Sequence, residues 1–128
     1  MGMMFYSQAD KKPVWAPSTQ VGLLFAAQIQ VLENMLDIQS GVLDDHPYDP
    51  DVRSINPVQI SEFVDGALNI FKMTHHTLLW GMISGVLSIT LALNFRMNGY
   101  WPSGFEDHKE LTVVIAQAHE AHNVMPVG

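Results

Sequence analysis

Nineteen consecutive residues, Thr77 to Phe95, carry no charge, and any fold open to this chain has to hide them. A helix rising 1.5 Å per residue crosses a bilayer core in ~20 residues, so length permits a membrane span. Composition favours burial in protein. Gly81, Ser84, Gly85, Ser88, Thr90 and Asn94 dilute the apolar run, and its flanks hold Lys72 and Arg96 rather than a one-sided basic cluster. The segment reads as the central helix of a bundle, with a single-pass membrane protein as the alternative.

Three other segments carry apolar stripes that such a helix would cover. Pro17-Ser18 opens a helix expected over 18–39, with Val21, Leu24, Phe25, Leu32, Met35 and Leu36 at 3.6-residue spacing. Gln28 falls inside that stripe, and Ser40-Gly41 closes it. A second helix, 57–72, begins at Asn56-Pro57-Val58-Gln59, where Asn caps, Pro takes the first helical position and Gln the capping-box position. The central helix spans 75–98. Asn98-Gly99 and the link Tyr100-Trp101-Pro102 turn the chain back antiparallel into a fourth helix, 104–123, opened by Ser103 and Glu106. Residues 1–16 have the pattern of a short hairpin across Ala9 to Lys12, and 40–56 reads as a long acidic loop punctuated by Pro47 and Pro50. The expected fold class is all-α: one domain over 1–128, a four-helix bundle with a central apolar helix behind a short N-terminal β-hairpin.

The formal charge of −7 sets a long-range field that repels phosphate backbones and anionic headgroups, so nucleic acid is not an expected partner and a basic protein is. No cysteine is present, which removes disulfides, thiol catalysis and zinc-thiolate sites together. The start, Met1 to Trp15, lacks the basic and apolar regions of a signal peptide, and a cytoplasmic location is expected. No nucleophile elbow, phosphate-binding glycine loop or carboxylate pair suited to acid/base work is readable. That leans against an enzyme.

Three groups of residues remain candidates. Asp44, Asp45, Tyr48, Asp49 and Asp51 form an acidic, aromatic-tipped surface suited to a basic partner, without the spacing of a calcium loop. His75, His76, His108, His119 and His122 are the residue type that ligates a transition metal, in neither the H-E-x-x-H nor the E-x-x-H pattern; the plainer reading is of capping and helix-end histidines. Gly81, Ser84, Gly85 and Ser88 form a stripe of small side chains that would seat a neighbouring helix or a second copy.

Trp15-Ala16-Pro17-Ser18 with Leu24-Phe25, and Phe63-Val64-Asp65-Gly66-Ala67-Leu68, resemble a small actinobacterial family of uncharacterised single-domain proteins, in which a short hairpin leads into a W-N-P-type helix start and an F-V-D-A-L-type second helix. The resemblance implies a soluble fold and supplies no activity. The expected function is a non-enzymatic, acidic protein-binding module, an immunity-type inhibitor of a basic partner or a small assembly subunit. The alternatives are a histidine-based metal enzyme and a membrane protein dimerising through the third helix. No cofactor beyond that metal is expected.

Overall fold

The structure is a computed structural model that describes residues 2–46 and 48–127. The elements are β1 (Met4–Ser7), β2 (Pro13–Trp15), α1 (Thr19–Leu36), β3 (Val42–Leu43), β4 (Val52–Ile55), α2 (Pro57–Phe71), α3 (Thr77–Asn98) and α4 (Lys109–Val124). They make an α+β fold, which corrects the all-α expectation: four strands form one mixed sheet in the order β2-β1-β4-β3. The hairpin of β1 and β2 is half of that sheet. The other half comes from the supposed acidic loop, where Val52-Arg53-Ser54-Ile55 pairs antiparallel with Val42-Leu43 and parallel with β1, Met4 lying opposite Val52. Such strands are too short to announce themselves by alternation, and the pairing that creates them spans the whole of α1.

Bonds at both ends of the parallel pair fix its register: Met4 N–H donates to Asp51 O and Gln8 N–H to Ile55 O, each at 2.8 Å. Gly41 enters β3 at φ +85°, and a Cβ there would lie 2.9 Å from the Asn56 carbonyl oxygen, so glycine is required. Helix α1 crosses this sheet. Phe25 packs edge-on against Phe5 and Trp15, with ring centroids 5.9 and 5.4 Å apart. At Gly22 the helix comes so near the sheet that a Cβ would meet Met3 Sδ at 2.5 Å. The helix stops at Leu36, earlier than the pattern predicts, because Asp37 adopts the left-handed conformation and its N–H closes on Glu33 O.

Helix α3 passes through the core, with Val86, Leu87, Ser88 and Thr90 to Asn94 buried. It is long and apolar enough to cross a membrane, and 56% of its most apolar window is enclosed by the rest of the chain. Helix α2 runs antiparallel to it: Asn98 Nδ2 donates to Pro57 O at one end, and Phe71 meets Trp80 at the other. Helix α4 runs parallel to α3, which overturns the expected antiparallel return. The starts of α3 and α4 meet where His108 contacts Trp80 and the Thr74 carbonyl, and their ends meet where His122 contacts Phe95 and Arg96. From Trp80 to Asn98 the helix climbs ~27 Å. The connecting residues, 99–108, can span ~33 Å when extended, enough to carry the chain back to the beginning. The fourth helix therefore starts at Lys109 instead of 104.

Arg96 fastens the far end. Its Nε donates to His122 Nδ1 (2.9 Å), Nη1 to Val14 O (2.6 Å), and Nη2 to His122 O and Met125 O (both 2.7 Å). Two of these carbonyls belong to the open C-terminal end of α4, where the helix dipole favours a cation. Burial lowers the Arg96 pKa from its ordinary value, and these acceptors stand in for the absent carboxylate. Arg96→Met should lower unfolding free energy by roughly 3 kcal/mol, since charged hydrogen bonds contribute about 1.5–3 each and the abandoned carbonyls stay half-buried. Arg96→Lys should fail to restore it, because one ammonium cannot serve carbonyls on β2 and α4 together. Urea midpoints of the three proteins check this.

Candidate functional site

The five sequence-selected histidines divide between the two ends of the α3–α4 pair. At the starting end, His75 and His108 stack with centroids 4.5 Å apart and planes 12° from parallel. Glu110 joins them, its carboxylate 3.2 Å from His75 Nδ1 and 3.4 Å from His108 Nδ1. One ligand atom from each of the three residues falls within 4.8 Å of the others, which is metal-like spacing.

The hydrogen bonds assign these atoms differently. His108 is the N-cap of α4: its Nδ1 accepts from Leu111 N–H at 3.2 Å, and its Nε2 then donates to Thr74 O at 3.1 Å. Both ring nitrogens are engaged, and the buried ring has no lone pair left for an ion. With that tautomer, the 3.4 Å approach of Glu110 to Nδ1 brings two acceptors together, so the carboxylate's partner is His75. The backbone N–H of Glu110 itself holds its carboxyl below the usual range against the opposing effect of burial, and His75 adds to the lowering. His76 repeats the capping arrangement on α3, its Nδ1 accepting from Leu79 N–H at 3.3 Å. A neutral imidazole thus does at two helix starts what Ser or Asp usually does.

His119 and His122 lie about 16 to 21 Å further along α4, too far to complete a site with His108. The ring of His119 stacks on Trp101 at 3.9 Å, and Trp101 stacks in turn on Phe95 at 4.4 Å. His122 accepts from Arg96, an arrangement that only its neutral form allows, and its pKa is lowered from 6.5 by burial first, then by the charge of Arg96 and by His119.

The small-residue stripe lies mostly in the open. A Cβ added at Gly81 or Gly85 would meet nothing within 4 Å. Gly81 and the half-buried Ser84 line a groove between the starts of α3 and α4, while Ser88 is buried with its hydroxyl on Gly85 O. The exposed Leu78 and Met82 flank these glycines. Among the described residues, no helix packs over Gly81 and Gly85.

The acidic residues occupy the β3–β4 connection at one edge of the sheet; Pro47 lies outside the described residues. Asp49 accepts from Asp51 N–H through its carboxylate, and its own N–H donates to His46 O, so the tip is a built turn. Arg53 pairs with Asp44 at 3.5 Å and donates to Pro50 O at 2.7 Å. Asp44, Asp45 and Asp49 are exposed, Asp51 half-buried, and Tyr48 is 98% exposed. Arg96 and Glu110 escaped sequence reasoning. For Arg96 the signal was its place as the first charge after an uncharged run.

The model of one family, described as a family of unknown function (DUF6086), matches residues 1–127. No curated protein and no solved structure matches the chain.

Two measurements probe the site. His108→Ala should cost about 2–4 kcal/mol through the lost cap, the lost bond to Thr74 O and the vacated ring contact with Trp80, and His108→Asn should recover only the share of the cap, about 1 kcal/mol. For His122, a folded pKa below the unfolded one means stability is fully present above about pH 6.5 and lost as pH falls through the folded value. Melting temperature should therefore drop on acidification before the carboxylates titrate, and His122→Gln should flatten that drop.

Proposed function

The chain belongs to the DUF6086 family, whose function is unknown, and we propose that it is a non-enzymatic protein-binding module whose β3–β4 tip docks on a basic protein. The exposure of Tyr48 carries this reading: an aromatic ring held out at a structured hairpin tip, with four aspartates around it and a single cation folded back on the loop. Tyrosine supplies large contact area at low entropic cost, which is why it concentrates binding energy at interfaces. The aspartates steer a cationic partner and set its orientation more than its final affinity. Occupation of both His108 nitrogens argues against a histidine-bound catalytic metal. An immunity-type inhibitor of a basic partner, or a small assembly subunit, fits this chemistry. The same reading places the protein in the cytoplasm of an actinobacterial cell, the group its Trp15–Ser18 and Phe63–Leu68 segments resemble.

Immobilised protein should retain a basic partner from host extract. Tyr48→Ala should weaken that complex roughly tenfold or more. Changing Asp44, Asp45 and Asp49 to Asn should slow association and flatten its salt dependence. A partner that binds both variants like the native chain overturns the proposal.

A further inference from the structure

Helix α1 has two apolar stripes, and the chain covers one of them. Gly22, Phe25, Ile29, Leu32 and Leu36 face the core. One position earlier in each case, Val21, Leu24, Gln28, Val31 and Met35 face solvent, the four apolar residues 47, 60, 62 and 51% exposed. Their 3-4-3-4 spacing is that of a coiled-coil seam, with one polar residue in the middle. The helix has a single charge, Glu33, and its carboxylate is turned back onto Ser40 N–H at 2.8 Å. An uncharged outer face is unusual for a surface helix in a protein of net charge −7.

We propose that this face is the interface of an antiparallel homodimer, with Gln28 on the two-fold axis. The seam runs one heptad to either side of Gln28, so a second copy rotated about that point sets Leu24 against Val31 of the other chain and Val21 against Met35. Val21 borders an apolar cleft of about 300 Å³ with Trp15, Pro17, Ile89 and Val124, and Met35 of the second copy, a flexible and exposed side chain, arrives over it. The two Gln28 amides meet at the axis and satisfy each other, the role of a lone polar residue that fixes register. The four apolar side chains expose on the order of 400 Å², about half of the ~800 Å² per partner of a standard interface and the size of a weak, micromolar dimer rather than an obligate one. An isologous contact of this kind closes on itself, so assembly stops at two. The surface is separate from the β3–β4 tip and stands or falls independently of the function assigned there.

Sedimentation equilibrium of the native chain should show a monomer–dimer equilibrium in the micromolar range. Leu24→Lys and Val31→Glu should each weaken dimerisation at least tenfold while keeping the native circular dichroism, because both side chains are on the outside of the monomer. The double variant should recover dimerisation, since an antiparallel pair brings the introduced ammonium of one copy beside the introduced carboxylate of the other twice, whereas a parallel pair would bring like charges together. The chain has no cysteine, so Gln28→Cys offers a second test that does not depend on those variants folding. Oxidation should cross-link it into a covalent dimer, and Leu24→Cys, ~12 Å from its own copy across the axis, should remain uncross-linked, beyond disulfide reach. A native chain that is monomeric at 100-micromolar concentrations, or a Leu24→Cys protein that cross-links as readily as Gln28→Cys, overturns the proposal.

Discussion

Burial of the second half of α3 is the constraint from which the rest of the architecture follows. From Val86 to Asn94 nearly every position is covered, so this stretch has to be surrounded on all sides. A single sheet or a single helix covers one face of a cylinder, and several elements are needed. Helix α2 approaches antiparallel, α4 parallel, and β2 reaches the remaining side through Val14 and Trp15. The long link of residues 99–108 follows from this: covering the same half of α3 with a parallel helix requires the chain to travel back first.

Covering a helix so completely creates a polar problem at its end. Thr90 solves its own by bonding to Val86 O, while Asn94 is half-solved: its Oδ1 accepts from Asn98, and its buried Nδ2 has no hydrogen-bond partner among the described residues. Arg96 is the larger case, a cation half-buried without a carboxylate. Its planar fork converts that liability into a clamp, because β2 and the end of α4 have carbonyls left over where their regular hydrogen bonding stops. Strand β2 and the end of α4 are joined there, and Ala16 N–H donating to Pro126 O extends the same seam.

Sequence reasoning reached the features set by local chemistry. The Asn56 cap was readable because Asn before Pro can hold the N–H three residues on, and its side chain does accept from Gln59 N–H at 3.0 Å. The central helix was readable from its nineteen uncharged residues, whereas the exposure of Leu78, Gly81, Met82 and Gly85 in its first half was not. Features set by distant partners were hidden. Strand β4 exists because β1 lies beside it, and nothing local in Val-Arg-Ser-Ile says so. Periodicity drew a single core-facing stripe on α1, whereas of its six residues only Phe25, Leu32 and Leu36 are buried, joined by Ile29, and Val21, Leu24 and Met35 are exposed. For the candidate site, the residue types of the β3–β4 tip were plain from the sequence, while the helix-capping role of His76 and His108 depends on where two helices start and on which ring nitrogen carries the proton.

The parallel pairing of β1 with β4 governs how the protein is born. β1 is a central strand, yet it consists of residues 4–7, and its parallel partner is residues 52–55. At a synthesis rate of ~5–20 residues per second, the first strand is made roughly 2–10 s before the second. During that interval Phe5 and Trp15 have neither β4 nor the later helices around them, and α1, whose Phe25 meets both rings, is the earliest element that shelters them. The nascent chain is a helix lying on an unfinished hairpin until residue 55 arrives, and the sheet closes only by bringing together segments separated by the length of that helix.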